Sequence, residues 1–466
     1  MTTRQIRALG SAFKAYLKLF AGLFAQERTA KHLHSYCRGL LSDLPRKSVE
    51  PIALACGATV RTLQEFLRDH VWDHLRMRDL LQQRLAQRPP PPAAPPPAAP
   101  PPAAPPPAAD LGAIGIIDET SVAKKGTKTP GVQRQYCGSL GKVENCVVTV
   151  HLALVRGRFK TLVDADLFLP KSWSDDRPRC READVPDEVV YRPKWRIALE
   201  QVARAAANGL PLDWLTFDEG YGSKPGFLEE LDQRGTRWVG EIPRNFRCLA
   251  KRPRGAEPRK GWKGKRVDDV ARHSPLWNRQ VGTKVSLARL TLDDQEWEVR
   301  AGQVHLVRRG EVTKRTYWLI VARNVKTGEV KYFLSNAPSE TELSTLLRVA
   351  FTRWNVEHVF RVVKSEIGFG HFEGRSYVGL MRHMTMCLAV MGFVAEHTDR
   401  LRGEKPGGDA GAGVLGVERA VPELAGAAAV DVGPAEPVDG EPVPPAPQRR
   451  RPEVAPTPPA AAELAL

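Results

Sequence analysis

The chain has 466 residues, with 69 Lys+Arg against 53 Asp+Glu and a formal net charge of +16, so its length suggests two or three domains and its charge a polyanionic partner, most simply nucleic acid. At 42% hydrophobic, with no run of about 18 apolar residues, the composition is that of a soluble globular protein and excludes a membrane-spanning helix. Seven scattered cysteines without a CxxC pair, and an N-terminus without an apolar core before a cleavage site, exclude a disulfide framework, a zinc knuckle and a secretory signal. The expectation is a cytoplasmic protein with reduced thiols.

Residues 1–88 read as a helical domain. Apolar positions recur at helical spacing in FKAYLKLFAGLF and VRTLQEFLRDHVWDHLRMRDLLQQRL. Basic residues lie between them, so the domain either binds DNA or carries a solvated basic face. Residues 89–109, a run of Pro and Ala, cannot build a packed core. They predict an extended linker that holds the first domain at a distance from the rest.

Residues 110–243 then alternate strands and helices. LGAIGIID (111–118) is a short apolar run that ends in a carboxylate, and 143–155 and 159–169 follow as strands, an antiparallel meander of three. A helix over 192–209 leads into LDWLTFD (212–218), a strand that again ends in a carboxylate. A helix over 224–235 and a strand over 237–243 complete a mixed α/β sheet. Residues 244–335 read as a β-rich insertion with a basic face, in which the KTGE turn at 326–329 joins two strands as a hairpin. Ser339 is placed to cap one long helix that carries Arg353, Glu357 and Lys364; residues 375–397 form a second, apolar helix. The stretch 336–400 thus closes the core. Residues 401–466, rich in Gly, Ala and Pro, read as a disordered tail.

Two strand ends can bring Asp118 and Asp218 together at one sheet edge, and the long helix offers Glu357 as a third acid. Arg353 and Lys364, four residues before and seven after Glu357, share its helical stripe. Three hard carboxylates suit Mg2+ or Mn2+. Two such ions would support an in-line phosphoryl transfer, with the two cations turned to a phosphate backbone. Each group also has an ordinary structural reading: an Asp at a strand end caps or turns the chain, and an Arg–Glu–Lys stripe is often a surface ion-pair ladder. Lys124, Lys125 and Lys128 either grip phosphate or form a solvated basic turn. Trp354 either stacks on a base or packs in the core. His358 and His371 have no part in the two-ion scheme.

The stretches GIIDETSVAKKG (115–126), TFDEGYGSKPGFLEEL (216–231) and RWNVEHVFRVVKSEIGFGHFEGRSY (353–377) resemble those of bacterial insertion-sequence transposases with a DDE triad and a ribonuclease-H-like core. The branch is the one with an Arg-x3-Glu-x6-Lys signature. The resemblance spans roughly 1–88 and 110–400. It implies an α/β, ribonuclease-H-like mixed sheet with a β-rich insertion and an N-terminal helical DNA-binding domain. It also implies Asp118, Asp218 and Glu357 as metal-binding catalytic residues, with Arg353 and Lys364 on DNA phosphate near the scissile bond. The signature in that branch often begins with Tyr three residues before the Arg; here that position is Ala350.

The expected activity is metal-dependent DNA cleavage and strand transfer. The partners would be the terminal inverted repeats of the element, target DNA, and further copies of the chain in a homo-oligomer; neither a membrane nor nucleotide hydrolysis is involved. A structure-specific nuclease of the same fold and a non-catalytic DNA-binding regulator are the alternatives.

Overall fold

A computed structural model describes residues 3–89, 111–251, 264–273, 286–292, 295–308 and 311–403. Most of the linker, most of the basic loop at 251–266 and the tail beyond 403 lie outside the described residues.

Five helices open the chain: α1 (Thr3–Leu17), α2 (Glu27–Leu41), α3 (Val49–Cys56), α4 (Val60–Arg68) and α5 (His74–Ala86). Local chemistry sets their starts. Thr59 accepts a bond from the Thr62 backbone N–H ahead of α4, and Asp73 accepts from those of Leu75 and Arg76 ahead of α5. Leu63, Phe66 and Leu67 of α4 are buried on one face.

Thirteen described strands form one sheet. They are β1 (Ile114–Ala123), β2 (Gln133–Cys137), β3 (Lys142–Arg156), β4 (Phe159–Leu167), β5 (Trp214–Phe217), β6 (Trp238–Glu241), β7 (Arg247–Leu249), β8 (Lys265–Arg266), β9 (Ser286–Leu292), β10 (Gln295–Arg308), β11 (Glu311–Val312), β12 (Tyr317–Asn324) and β13 (Val330–Ser335). The order is β2-β3-β1-β5-β6-β13-β12-β10-β7-β8, with β4 on β3 and both β9 and β11 on β10. β1, β5 and β6 run parallel to one another. β1, β3 and β4 make the expected antiparallel meander, with β2 paired to Lys142–Cys146 at the start of β3.

β1 does not stop at Asp118. It continues five residues to Ala123, because Thr120 and Val122 stay in register with Thr149 and Val147 of β3. The β-rich segment extends the same sheet: Phe333 and Leu334 of β13 pair with Glu241 and Gly240 of β6. Its hairpin forms where the KTGE turn predicts, with Asn324 Oδ1 accepting from the backbone N–H groups of Lys326 and Thr327.

Between β4 and β5 lie α6 (Lys171–Ser174), α7 (Arg177–Glu182) and α8 (Lys194–Ala207); after β5 come α9 (Glu219–Gly222), α10 (Pro225–Gln233) and, past β8, α11 (Val267–His273). The long helix expected after Ser339 is two: α12 (Leu343–Thr352) and α13 (Asn355–Ser365). Ser339 does not cap it. Glu342 holds the N-cap position and makes no side-chain bond to the helix. The break at Arg353–Trp354 seats the Trp354 ring 4.9 Å from Phe351 and 6.3 Å from Trp297, a core position.

The last helix, α14 (Tyr377–Gly403), runs past the expected start of the tail. By length and composition Tyr377–Asp399 could cross a membrane, yet 94% of its most apolar window is buried inside the protein. Strand β4 and the N-terminal helices together cover it. Phe13 packs 4.8 Å from Phe393, the Tyr16 hydroxyl donates to the Ala389 carbonyl at 2.9 Å, and Arg382 donates to the carbonyls of Phe66, Leu67 and Trp72. The N-terminal helices therefore share the core instead of standing off from it. A helix apolar on every side must be covered on every side, and that need overrides the separation expected from the linker composition.

Candidate active site

The site stands where β1 and β5 run side by side. Ile117 pairs with Phe217 in the parallel ladder, and the next residue on each chain is an aspartate. Asp118 remains in β1, whereas Asp218 leaves β5 and caps α9, accepting the Tyr221 backbone N–H at 3.2 Å. Burial, then the charge of Asp218, pushes the Asp118 carboxyl up to about 7. Burial also raises Asp218, against the Tyr221 N–H and the Arg353 guanidinium, which favour its ionised form. Two carboxylates thus sit within each other's field, at an edge that water reaches poorly.

Arg353 supplies their counter-charge. Its Nη1 lies 3.6 Å from Asp118 Oδ2, and its Nη2 lies 3.8 Å from Oε2 of Glu241. Arg353 is therefore mostly buried among acids. The break between α12 and α13 allows this, because Arg353 sits at the last turn of α12 with its side chain turned to the sheet. Arg353 and Lys364 do not share one helical stripe with Glu357, because the helix breaks at Arg353–Trp354; from α13, Lys364 reaches the Ser121 carbonyl of β1 at 3.4 Å. Burial lowers its pKa.

The remaining expected residues divide. Glu357 is exposed on the first turn of α13, and among the described residues no group of three His, Cys, Asp or Glu side chains is placed to hold a metal ion. Lys124 is half-buried, and its ammonium donates to the carbonyls of Gly370 and Phe372, bracing that turn against β1. Lys125 is exposed. Lys128 pairs with Glu182 at 2.5 Å. His371 accepts the Lys47 backbone N–H, a structural bond.

Glu241, the last residue of β6, was not among the sequence candidates. The signal was present, since RWVGEIP also carries a carboxylate near the end of a strand, as the strand before Asp218 does. Lys331 of β13 holds Glu241 through a 3.2 Å ion pair.

A divalent cation suits the half-buried pair. Asp118 and Asp218 present hard oxygens, repel each other and have a single guanidinium between them and Glu241, so added positive charge is favoured there. The third carboxylate of the sequence pattern stands apart from them.

The sequence profile of the family described as DDE superfamily endonuclease matches residues 18–99 and 102–304. A probable transposase for insertion sequence element IS701 of Microchaete diplosiphon is 30% identical over 239 residues, which cover 49% of this chain and 53% of that relative. The chain thus spans about half the length of the curated relative it matches.

Proposed function

The chain belongs to the DDE superfamily endonucleases, and on that footing we propose that it is an insertion-sequence transposase with a ribonuclease-H-like core. It cleaves DNA at the ends of its element and joins the freed 3′-hydroxyl to target DNA. The observation that carries this reading is the Asp118–Asp218 pair: two half-buried carboxylates brought to one edge by the Ile117–Phe217 register. Neighbouring acids that raise one another's pKa at a strand end are a recurring mark of functional sites.

Enzymes of this family use divalent metal ions. Here Asp118 and Asp218 would hold Mg2+ or Mn2+, two ions in the full reaction, and Glu357, exposed on the first turn of α13, would complete the set only if α13 turned it toward the pair. Bound there, the metal would polarise a phosphodiester and make water or a 3′-hydroxyl a better nucleophile. Lys364 and Arg353 contribute positive charge beside the acids, where a phosphate backbone must pass. Lys125, exposed near the start of the loop after β1, extends that surface. Lys124 acts behind it by fixing the turn at 370–372. The substrate is the terminal inverted repeats and target DNA, the working form is a homo-oligomer in the cytoplasm, and the N-terminal helices add DNA contacts.

The test is incubation of the full chain with a DNA fragment carrying the sequences that flank its gene, a target plasmid and Mn2+. Cut ends and joined products are expected from the wild type and neither from Asp118→Asn. Cutting without joining would make it a nuclease. Equal products from both proteins would leave it a DNA-binding protein without this active site.

A further inference from the structure

Arg353 holds a position at odds with a simple phosphate contact. Its guanidinium is mostly buried and lies between Asp118 and Glu241, in the field of Asp218 as well. Both contacts, at 3.6 and 3.8 Å, are longer than the roughly 2.7–2.9 Å of a charge-assisted hydrogen bond. The guanidinium is therefore shared between two acids and locked to neither.

Glu241 differs from Asp118 in one respect. It is tied on its far side by Lys331 at 3.2 Å, and Lys331 is itself held by Glu329 at 3.3 Å. It is thus a fixed acceptor on β6, one strand beyond the acid pair. A divalent cation between Asp118 and Asp218 would meet Arg353 with like charge in a poorly hydrated site, where such repulsion is strong. Both cations cannot keep the same place. The backbone permits a shift, since Arg353 lies at the break between two helices and only its side-chain torsions need change.

Building on the transposase reading, we propose that Arg353 is the resident cation of the acid site before metal arrives, and that Glu241 is the positioning residue that receives its guanidinium when a divalent cation takes its place. Arg353 then ends in a bidentate pair with Glu241, withdrawn from Asp118 and directed along the edge where DNA phosphate passes. The exchange leaves one guanidinium beside the acids without metal and keeps metal affinity low until Arg353 has moved.

The test is Mn2+ binding by the full-length, DNA-free protein, followed by electron paramagnetic resonance, so that no cleavage is needed. Arg353→Met should bind Mn2+ roughly tenfold more tightly than the wild type. Glu241→Gln should bind more weakly than the wild type, because the guanidinium has lost its second acceptor. In the Arg353→Met background, the same Glu241 change should have little effect. That last comparison separates positioning from plain loss of a nearby negative charge, which would weaken binding equally in both backgrounds. Arg353→Gln repeats the test should Arg353→Met melt below the assay temperature.

Equal or weaker binding by the Arg353 variants, an equal effect of Glu241→Gln in both backgrounds, or no Mn2+ binding by any variant overturns the exchange. Asp118→Asn distinguishes the two readings. If it abolishes Mn2+ binding while Arg353→Met changes nothing, the exchange alone fails. If Asp118→Asn binds as the wild type does, the metal site itself fails.

Discussion

Gly240 of β6 lies against Phe217 of β5 so closely that a Cβ at position 240 would stand 1.9 Å from Phe217 Cε2. Phe217 cannot retreat: it is fully buried, 5.0 Å from Phe227 and 5.7 Å from Trp238. It also directly precedes Asp218, while Glu241 directly follows Gly240. Gly240→Ala should therefore cost about 1–3 kcal/mol of stability through overpacking and should disturb both acids together. Urea unfolding and a cleavage assay check this. An unchanged midpoint with full cleavage would show that the aromatic cluster yields more readily than its packing implies.

The acid pair should trade stability for function. Asp118 and Asp218 repel each other in a half-buried setting, and the carboxyl of Asp118 is held up at about 7. Above that pH the folded protein carries an ionised group that the unfolded chain solvates better, so folding is opposed. Asp118→Asn should abolish cleavage and yet raise the Tm of the metal-free protein at pH 8. A lower Tm with EDTA present would mean that the carboxylate stabilises the fold and is not a strained functional group.

A second ionic cluster should behave in the opposite way. Asp164 of β4 is fully buried, and Arg204 of α8 meets it at 3.0 and 3.2 Å and also pairs with Asp166. Gln82 of α5 donates to Asp164 at 3.2 Å and to the Val163 carbonyl at 3.0 Å, so the cluster ties the N-terminal helices to the sheet. Removing the arginine leaves two acids without their cation. Arg204→Met should destabilise the protein by about 3–5 kcal/mol, the cost of breaking one side of a buried pair. Gln82→Leu should cost less, about 1–3 kcal/mol. Denaturant midpoints decide the matter, and a loss below about 1 kcal/mol for Arg204→Met would show that water reaches Asp164.

Much of this architecture can be read from local pattern. The apolar runs at 111–118 and 212–218, each followed or ended by an acid, announce β1 and β5, and their parallel register then brings Asp118 beside Asp218. The turn at 326–329 is legible from its chemistry. Other features depend on partners distant in sequence. The apolar period continues through 343–365, so nothing local marks the break at Arg353 that turns its side chain to the acids. Glu241 matters because β6 lies next to β5, a pairing that no single segment encodes. The linker composition describes a spacer, but the packing of α1–α5 on α14 is set by how much apolar surface α14 must cover. The exposure of Glu357 likewise follows from where α13 docks, which helical spacing alone does not specify.

His383 of α14 offers a pH test away from the acids. Its ring is fully buried, with the Tyr36 hydroxyl 2.9 Å from Nδ1 and the Phe369 carbonyl 3.3 Å from Nε2. The neutral imidazole satisfies both if Tyr36 donates and Nε2–H is donated to Phe369. A second proton on Nδ1 would take away the acceptor of the Tyr36 hydroxyl and force that hydroxyl to turn and accept instead. Burial pushes His383 down to about 4 from its ordinary value of 6.5. A depressed folded value means that the stability is fully present above 6.5 and is lost as pH falls towards 4, because the unfolded chain binds the proton first. Between pH 7 and 4.5 the wild type should lose roughly 2–3 kcal/mol more than His383→Gln, in which the titrating group is absent and the other groups are unchanged. Urea titrations of both proteins at the two pH values measure that difference, and parallel losses would show that His383 is protonated as readily in the folded protein as in the unfolded chain.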